Sequence, residues 1–351
     1  MIPPVFLDLR ALAELASHGM ELDLERLHLS GGSPLTDALA SRVSFGNMGA
    51  ETFVVYANGR KQHALGVVQA RLRKNRPEAD ITFIAPTLEH DPDAVTTWYR
   101  LLSEATKSLG EAGCQRIYAT VPAGNSAEEV FRQAGFVIFT REQVFLLDGE
   151  SVRAFRNTAF PRAALHSSEI SLRRMRKRDA WNVMRLYSTV TPRNVQQAEA
   201  MLTTEGAAGN LDDWWEHLNG TSYVFERTLP GGNALLGIVR ITRGRLATWV
   251  RFHLAPQGQA YADEMVAQTL ALVSKTRMRP IYVAVRDYEG GVRGALEAVG
   301  FGARFERSHM VKHTTARVRE TLPWLAPVLE TTKIPVIHTT QHAREIEQKA
   351  I

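Results

Sequence analysis

Apolar and polar positions follow the same order twice along this chain. Residues 51–72 and 221–243 each alternate as two strands around a turn. Residues 81–109 ("ITFIAPTLEHDPDAVTTWYRLLSEATKSL") and 250–276 ("VRFHLAPQGQAYADEMVAQTLALVSKT") each give a strand, an Ala-Pro step, a loop and a long amphipathic helix. Residues 116–136 ("RIYATVPAGNSAEEVFRQAGF") and 280–301 ("PIYVAVRDYEGGVRGALEAVGF") then read Ile-Tyr-x-x-Val, a loop, a short helix and Gly-Phe, followed by an apolar strand. A repeat of this size is a domain, not a solenoid unit. The reading is two copies split near residues 148–168: an N-terminal domain over 1–150, a C-terminal domain over 165–318 and a tail over 319–351. The second copy opens on a strand at "ISLRRM", a helix at "KRDAWNVMRLYS" and another helix begun by Thr191-Pro192. The first opens on "LDLRALAELASHGM", which looks helical. Strands with interspersed helices predict an α/β (α+β) fold, each domain a mixed, mainly antiparallel sheet flanked by helices.

The length of 351 residues suits two cores better than one. A hydrophobic content of 44% with 23% charged residues is that of a globular protein. The opening "MIPPVFLDLR" lacks the basic and apolar regions of a secretory signal. No apolar run approaches the roughly 20 residues of a membrane span. Cys114 is the only cysteine, which excludes an intrachain disulfide and fits a reducing cytoplasm. The net charge of +5 conceals an asymmetry: residues 1–150 carry 14 Lys and Arg against 19 Asp and Glu, net −5, which leaves +10 for the remainder. The second half is the better partner for an anion.

No Walker loop, His-Glu-x-x-His or cysteine pair is present. His309 and His313, and His338 and His342, are spaced i,i+4, but the first pair lies in a strand pattern and the second in the tail, so no metal is expected. The basic run "RRMRKR" (173–178) reads as a solvated strand-to-helix junction ahead of a nucleic-acid contact. "DDWWEHL" (212–218) reads as a capped amphipathic helix in which Trp214 and Trp215 pack.

The words "GNSAEEVFRQAGF" and "GVRGALEAVGF", each behind a strand, Ala-Pro and helix, resemble the GNAT N-acetyltransferase superfamily. The resemblance covers roughly residues 45–150 and 168–315, as a tandem pair in the manner of mycothiol synthase. It implies acetyl-CoA as co-substrate and an amine acceptor, either a small molecule or a protein N-terminus or lysine. It also implies a pyrophosphate cradle at a helix N-terminus, a splayed strand whose free N–H polarises the thioester carbonyl, and a base and an acid that move protons.

The two copies differ in what they offer such a reaction. After Ala85-Pro86 the first places Glu89, Asp91 and Asp93 where phosphates would lie, and like charges repel there. Asp91 reads instead as a helix N-cap, with Pro92 at the first helical position. After Ala255-Pro256 the second has small Gly258 and Ala260 and neutral Gln257 and Gln259. Leu254, Gln257, Gly258, Gln259, Ala260 and Tyr261 are therefore the candidate cofactor-binding residues, the alternative being a plain strand-to-helix turn. The family often places a leaving-group Tyr four residues before the Gly of Gly-Phe, where this chain has Phe131 and Leu296. Tyr288, with Tyr282 and Tyr261 as alternatives, is the candidate acid, and His253, alternating with Arg251 along its strand, the candidate base. Asn125 stands one residue from the spacing at which the family opens this helix, and Glu289 is near the same place in the second copy. The expectation is an acyl-CoA-dependent N-acetyltransferase whose C-terminal copy binds CoA and whose N-terminal copy is structural. Two rival readings are a catalytically silent binding protein of the same fold and a nucleic-acid-binding protein acting through its basic half.

Overall fold

Alternating β-branched and aromatic residues build twelve strands among the described residues, in one sheet. The computed structural model describes residues 12–37, 50–57, 64–74, 76–157, 169–199, 220–230, 232–274 and 279–314. Trp214, Trp215, His338, His342 and the 319–351 tail lie outside these. Helical residues ending in the short turn Ala16–His18 precede β1 (Met20–Glu21) and α1 (Leu24–Ser30). The first repeat follows as β2 (Ala50–Tyr56), β3 (Ala64–Leu72), β4 (Glu78–Ala85), α2 (Ala94–Glu111), β5 (Arg116–Pro122), α3 (Ser126–Gln133) and β6 (Val137–Leu147). After α4 (Gly149–Asn157) come β7 (Ile170–Arg174), α5 (Ala180–Val190) and α6 (Arg193–Ala198). The second repeat is β8 (Gly220–Leu229), β9 (Gly232–Arg243), β10 (Thr248–Leu254), α7 (Ala262–Ser274), β11 (Ile281–Arg286), α8 (Arg293–Ala298) and β12 (Gly302–His313). The order read from the sequence therefore recurs element by element.

The strands run β2-β3-β4-β5-β12-β6-β11-β10-β9-β8-β7, with β1 added to β4. Only β4–β5 and β10–β11 are parallel. The last strand of each repeat does not complete its own repeat. β12 pairs with β5 of the first, from Arg307↔Pro122 to His313↔Arg116. β6 pairs with β11 of the second, from Ile281↔Leu147 to Arg286↔Glu142. β6 and β12 also pair with each other at the centre. The cores follow this exchange. Phe145, Leu147 and Val152 are buried with β10, β11, α7 and α8, whereas Met310 joins the core of α2, α3 and β2–β5.

Helix α2 buries Ala94, Trp98, Leu101, Leu102, Ala105 and Leu109, one stripe at three- and four-residue spacing. The Trp98 indole donates to the Pro86 carbonyl at 2.6 Å. Asp91 does not cap this helix. Its carboxylate accepts the Asp93 N–H at 2.8 Å, closing a local turn, and the helix begins at Ala94.

Both Gly-Phe words are helix stops. Gly135 and Gly300 have φ of 88° and 94°, the left-handed conformation that favours glycine after a helix. The next N–H, of Phe136 or Phe301, reaches back to the carbonyl of Phe131 or Leu296 at 3.0 Å in both copies. This is the six-to-one bond of a Schellman cap, and it brings an apolar pair together across the stop. Phe131 and Leu296 are each 0% exposed. Both are cap and core residues.

Candidate functional site

Each parallel strand pair opens into a V because the strands share only a few register positions. In the first repeat, β4 and β5 pair from Glu78↔Arg116 to Asp80↔Tyr118 and then part. The edge of β4 that this exposes is taken by β1, with Met20 opposite Ile84 and Glu21 opposite Phe83. The Leu22 N–H donates to the Thr82 carbonyl at 2.8 Å, and the Thr87 N–H, just past Pro86, donates to the His18 carbonyl at 2.6 Å. His18 stacks on His90 with ring centroids 4.0 Å apart. The chain's own segment His18–Asp23 thus fills the first V.

Burial beside Asp23 and Asp37 raises the Glu21 carboxyl from 4.5 to about 7. The folded value lies above the unfolded one, so the neutral form fits this strand and its ionisation opposes folding as pH rises from 4.5 through 7. Amide exchange at Leu22 and Thr87, corrected for intrinsic rates, is expected to accelerate between pH 6 and pH 8, and Glu21→Gln to abolish the acceleration. Equal protection at both pH values would refute this.

In the second repeat, β10 and β11 pair from Thr248↔Ile281 to Arg251↔Ala284. Beyond that point Phe252–Leu254 pair only with β9, and Val285 and Arg286 only with β6. Among the described residues no strand joins the inner edges of this V. Its mouth is bounded by two tight turns, Pro256–Tyr261 and Gly290–Val292, which touch where Gln259 packs against Gly291.

Of the six residues expected at a cradle, Gln257, Gln259 and Ala260 are exposed on the first of these turns. Gly258 is buried. A Cβ there would lie 2.0 Å from the Leu236 carbonyl oxygen, and its N–H donates to the Ala255 carbonyl at 2.8 Å. Gly258 therefore permits close packing of the turn on β9. Leu254 ends β10 in the core. Tyr261 donates to Glu169 at 3.3 Å and lies under the Arg227 guanidinium. No carboxylate occurs between Ala255 and Tyr261; the first are Asp263 and Glu264 on α7.

The candidate acid and base meet at the same V. His253 Nδ1 is held against Glu289 Oε1. The other Glu289 oxygen accepts the Arg286 backbone N–H at 3.3 Å. The Arg286 side chain donates to the Tyr288 hydroxyl at 2.8 Å and to Glu199 at 2.6 Å. Tyr187 donates to the second Glu199 oxygen, also at 2.6 Å. Burial works to raise the Glu199 carboxyl, but the Arg286 guanidinium beside it holds it below the usual range. Burial pushes the Tyr288 phenol up against the pull of Arg286, so its proton stays on. Because that oxygen accepts from Arg286, its own O–H is directed elsewhere. Sequence reasoning singled out His253 and Tyr288 as candidates and noted Glu289 only for its place near a helix start; it did not single out Glu199, Arg286 or Tyr187. They are up to 99 positions apart in the chain, and no spacing links them. Tyr282 stands apart, in a stacked cluster with His28 and Trp249.

Arg173 of the basic run is engaged by Asp179 and Glu226, whereas Arg174, Arg176, Lys177 and Arg178 are exposed. Among the described residues no helix is long and apolar enough to cross a membrane, and no group of His, Cys, Asp and Glu is arranged to hold a metal.

No protein-family model matches the chain, and no curated protein matches it in sequence. Among solved structures it is similar to a GCN5-related N-acetyltransferase from Sphaerobacter thermophilus, at 12% identity and a TM-score of 0.49 over 89% of this chain and 94% of that one. It is likewise similar to a tandem GNAT protein from the clavulanic acid biosynthesis pathway, at 15% identity and a TM-score of 0.49 over 88% of this chain and 93% of that one.

Proposed function

We propose that this protein is an acyl-CoA-dependent N-acetyltransferase acting on an amine through its second repeat, residues 165–318, with the first repeat, residues 1–150, as a non-binding partner. One contrast carries the reading. The β4/β5 V is filled by His18–Asp23, while the β10/β11 V keeps both inner edges and has an acid, a base and an acid-free turn at its mouth.

Acetyl-CoA would supply an activated acyl thioester. The chain's own residues do the rest. Backbone N–H groups along the inner edge of Phe252–Leu254 are donors in a position to polarise a carbonyl. His253, oriented by Glu289, accepts the proton that the amine nitrogen loses as it bonds to the acyl carbon. Tyr288 donates its proton to the departing thiolate, and Arg286 stabilises the phenolate left behind. Gln257, Gln259 and Ala260 face solvent on the turn, where phosphates meet no carboxylate; Gly258, packed against Leu236, is not part of the contact surface.

The test is a melting curve with acetyl-CoA. A dissociation constant of about 100 μM would add about 1.4 kcal/mol at 1 mM ligand, a rise of about 2 °C for a protein of this size, and tighter binding more. Ala260→Asp, on the exposed turn, should remove the rise and Asp91→Ala should preserve it. Tyr288→Phe should keep the rise and lower amine-dependent CoA release. No rise with the unaltered protein rejects the proposal. A rise without CoA release across an amine panel would favour the silent binding protein, for which the buried Gly258 and the aliphatic Leu296 speak.

A further inference from the structure

Helix α6 belongs to the second repeat in sequence, yet three hydrogen bonds fasten it to the first. The buried Tyr118 hydroxyl on β5 donates to the Ala198 carbonyl at 2.7 Å. Arg76 donates to the Glu199 carbonyl at 3.3 Å. The Asn194 amide donates to the Phe139 carbonyl on β6 at 3.1 Å. Tyr118 is itself held. The Arg73 guanidinium lies 4.1 Å over its ring, and Arg73 is fixed by Asp80 at 2.6 and 2.8 Å. Its strand neighbours Ile117 and Ala119 face the first core, whereas Tyr118 faces the opposite side of the sheet and packs with Ala198 and Val311.

The residue these bonds locate is Glu199, one position past the end of α6. Its carboxylate is the shared acceptor for Arg286 and Tyr187. Arg286 in turn donates to Tyr288. A path of contacts therefore runs from Arg73, over the Tyr118 ring, through the Tyr118–Ala198 hydrogen bond and the adjoining peptide to Glu199, and on by hydrogen bonds through Arg286 to Tyr288 at the V of the second repeat.

We propose that the first repeat is a positioning element of the second repeat's centre: Tyr118 and Arg76 fix the end of α6, and through Glu199 they set where Arg286 and Tyr288 stand. Its catalytic meaning rests on the function proposed above, but the placement of Tyr288 can be read without activity. Tyr118→Phe removes one hydroxyl and leaves the ring under Arg73. In full-length protein labelled with [13Cζ]tyrosine, and with the Tyr288 signal assigned from Tyr288→Phe, Tyr118→Phe should shift the Tyr288 resonance. Glu199→Gln should shift it further. Val130→Ala, a core truncation of the first repeat away from α6, should lower the melting temperature and leave that resonance in place. Where amine-dependent CoA release is measurable, Tyr118→Phe should lower kcat on the order of tenfold to a hundredfold, as expected for a misplaced reacting group, with KM for acetyl-CoA unchanged. If Tyr118→Phe behaves like Val130→Ala, the proposal is overturned. If the protein gives no melting response to acetyl-CoA, the acetyltransferase reading fails while the resonance still decides the positioning role.

Discussion

Residues 169–314 expressed alone should not fold, although they contain every element of the second repeat. β11 would lose β6 along Leu147 to Glu142, and β12 would lose both of its neighbours, β5 and β6. Phe145, Leu147 and Val152, each no more than 2% exposed, would leave the second core. Burial of such side chains is worth about 1.5–3 kcal/mol each, so their loss removes about 5–9 kcal/mol. That is comparable with the whole stability of a domain, about 5–15 kcal/mol. The exposed edges of β11 and β12 would also template aggregation. The expected product is insoluble, or soluble without dispersed amide resonances. Residues 137–314, which regain β6 and α4, should be markedly more soluble. A cooperative unfolding transition from 169–314 would show that the exchanged strands are dispensable.

Glu142→Gln should cost about 3–5 kcal/mol at pH 7, the range for breaking a buried ion pair from one side. Glu142 is 1% exposed at the crossing of β6 with its two neighbours. It accepts from Arg307 Nε at 2.7 Å, and Arg251 lies 3.2 Å and His309 3.5 Å away. Arg251 also reaches Glu25 of α1 at 3.0 Å. Burial opposes the Glu142 charge, yet Arg251, Arg307 and His309 together hold its carboxyl well below the usual range. The folded value lies below the unfolded 4.5, so the stabilisation is complete above about pH 4.5 and disappears as pH falls through the folded value. Denaturant unfolding at pH 7 and at pH 3.5 should therefore show a large difference between the two proteins at the higher pH and a smaller one at the lower. A Glu142→Gln protein within 1 kcal/mol of the parent at pH 7 would mean the neighbouring arginines find other partners.

The sequence by itself determined the order of elements, because that order is a local matter. Period-two runs, one apolar stripe per helix and a glycine at each helix stop are set by neighbours within a few residues. The acidic turn after Pro86 and the acid-free turn after Pro256 were legible for the same reason. Tertiary structure decided what local pattern leaves open. β6 and β12 each follow a Gly-Phe helix stop, and nothing local in either says which repeat it completes; only the long-range register shows that they trade places. β1 is two residues long and sits between helical segments, so nothing local marks it as the strand that fills the first V. Gly258 suited a phosphate cradle in sequence until the fold brought the Leu236 carbonyl against it. Glu199 meets Arg286, and Tyr118 meets Ala198, across 87 and 80 positions. Side-chain contacts of that range depend on how helices lie on the sheet, and no periodicity along the chain encodes them.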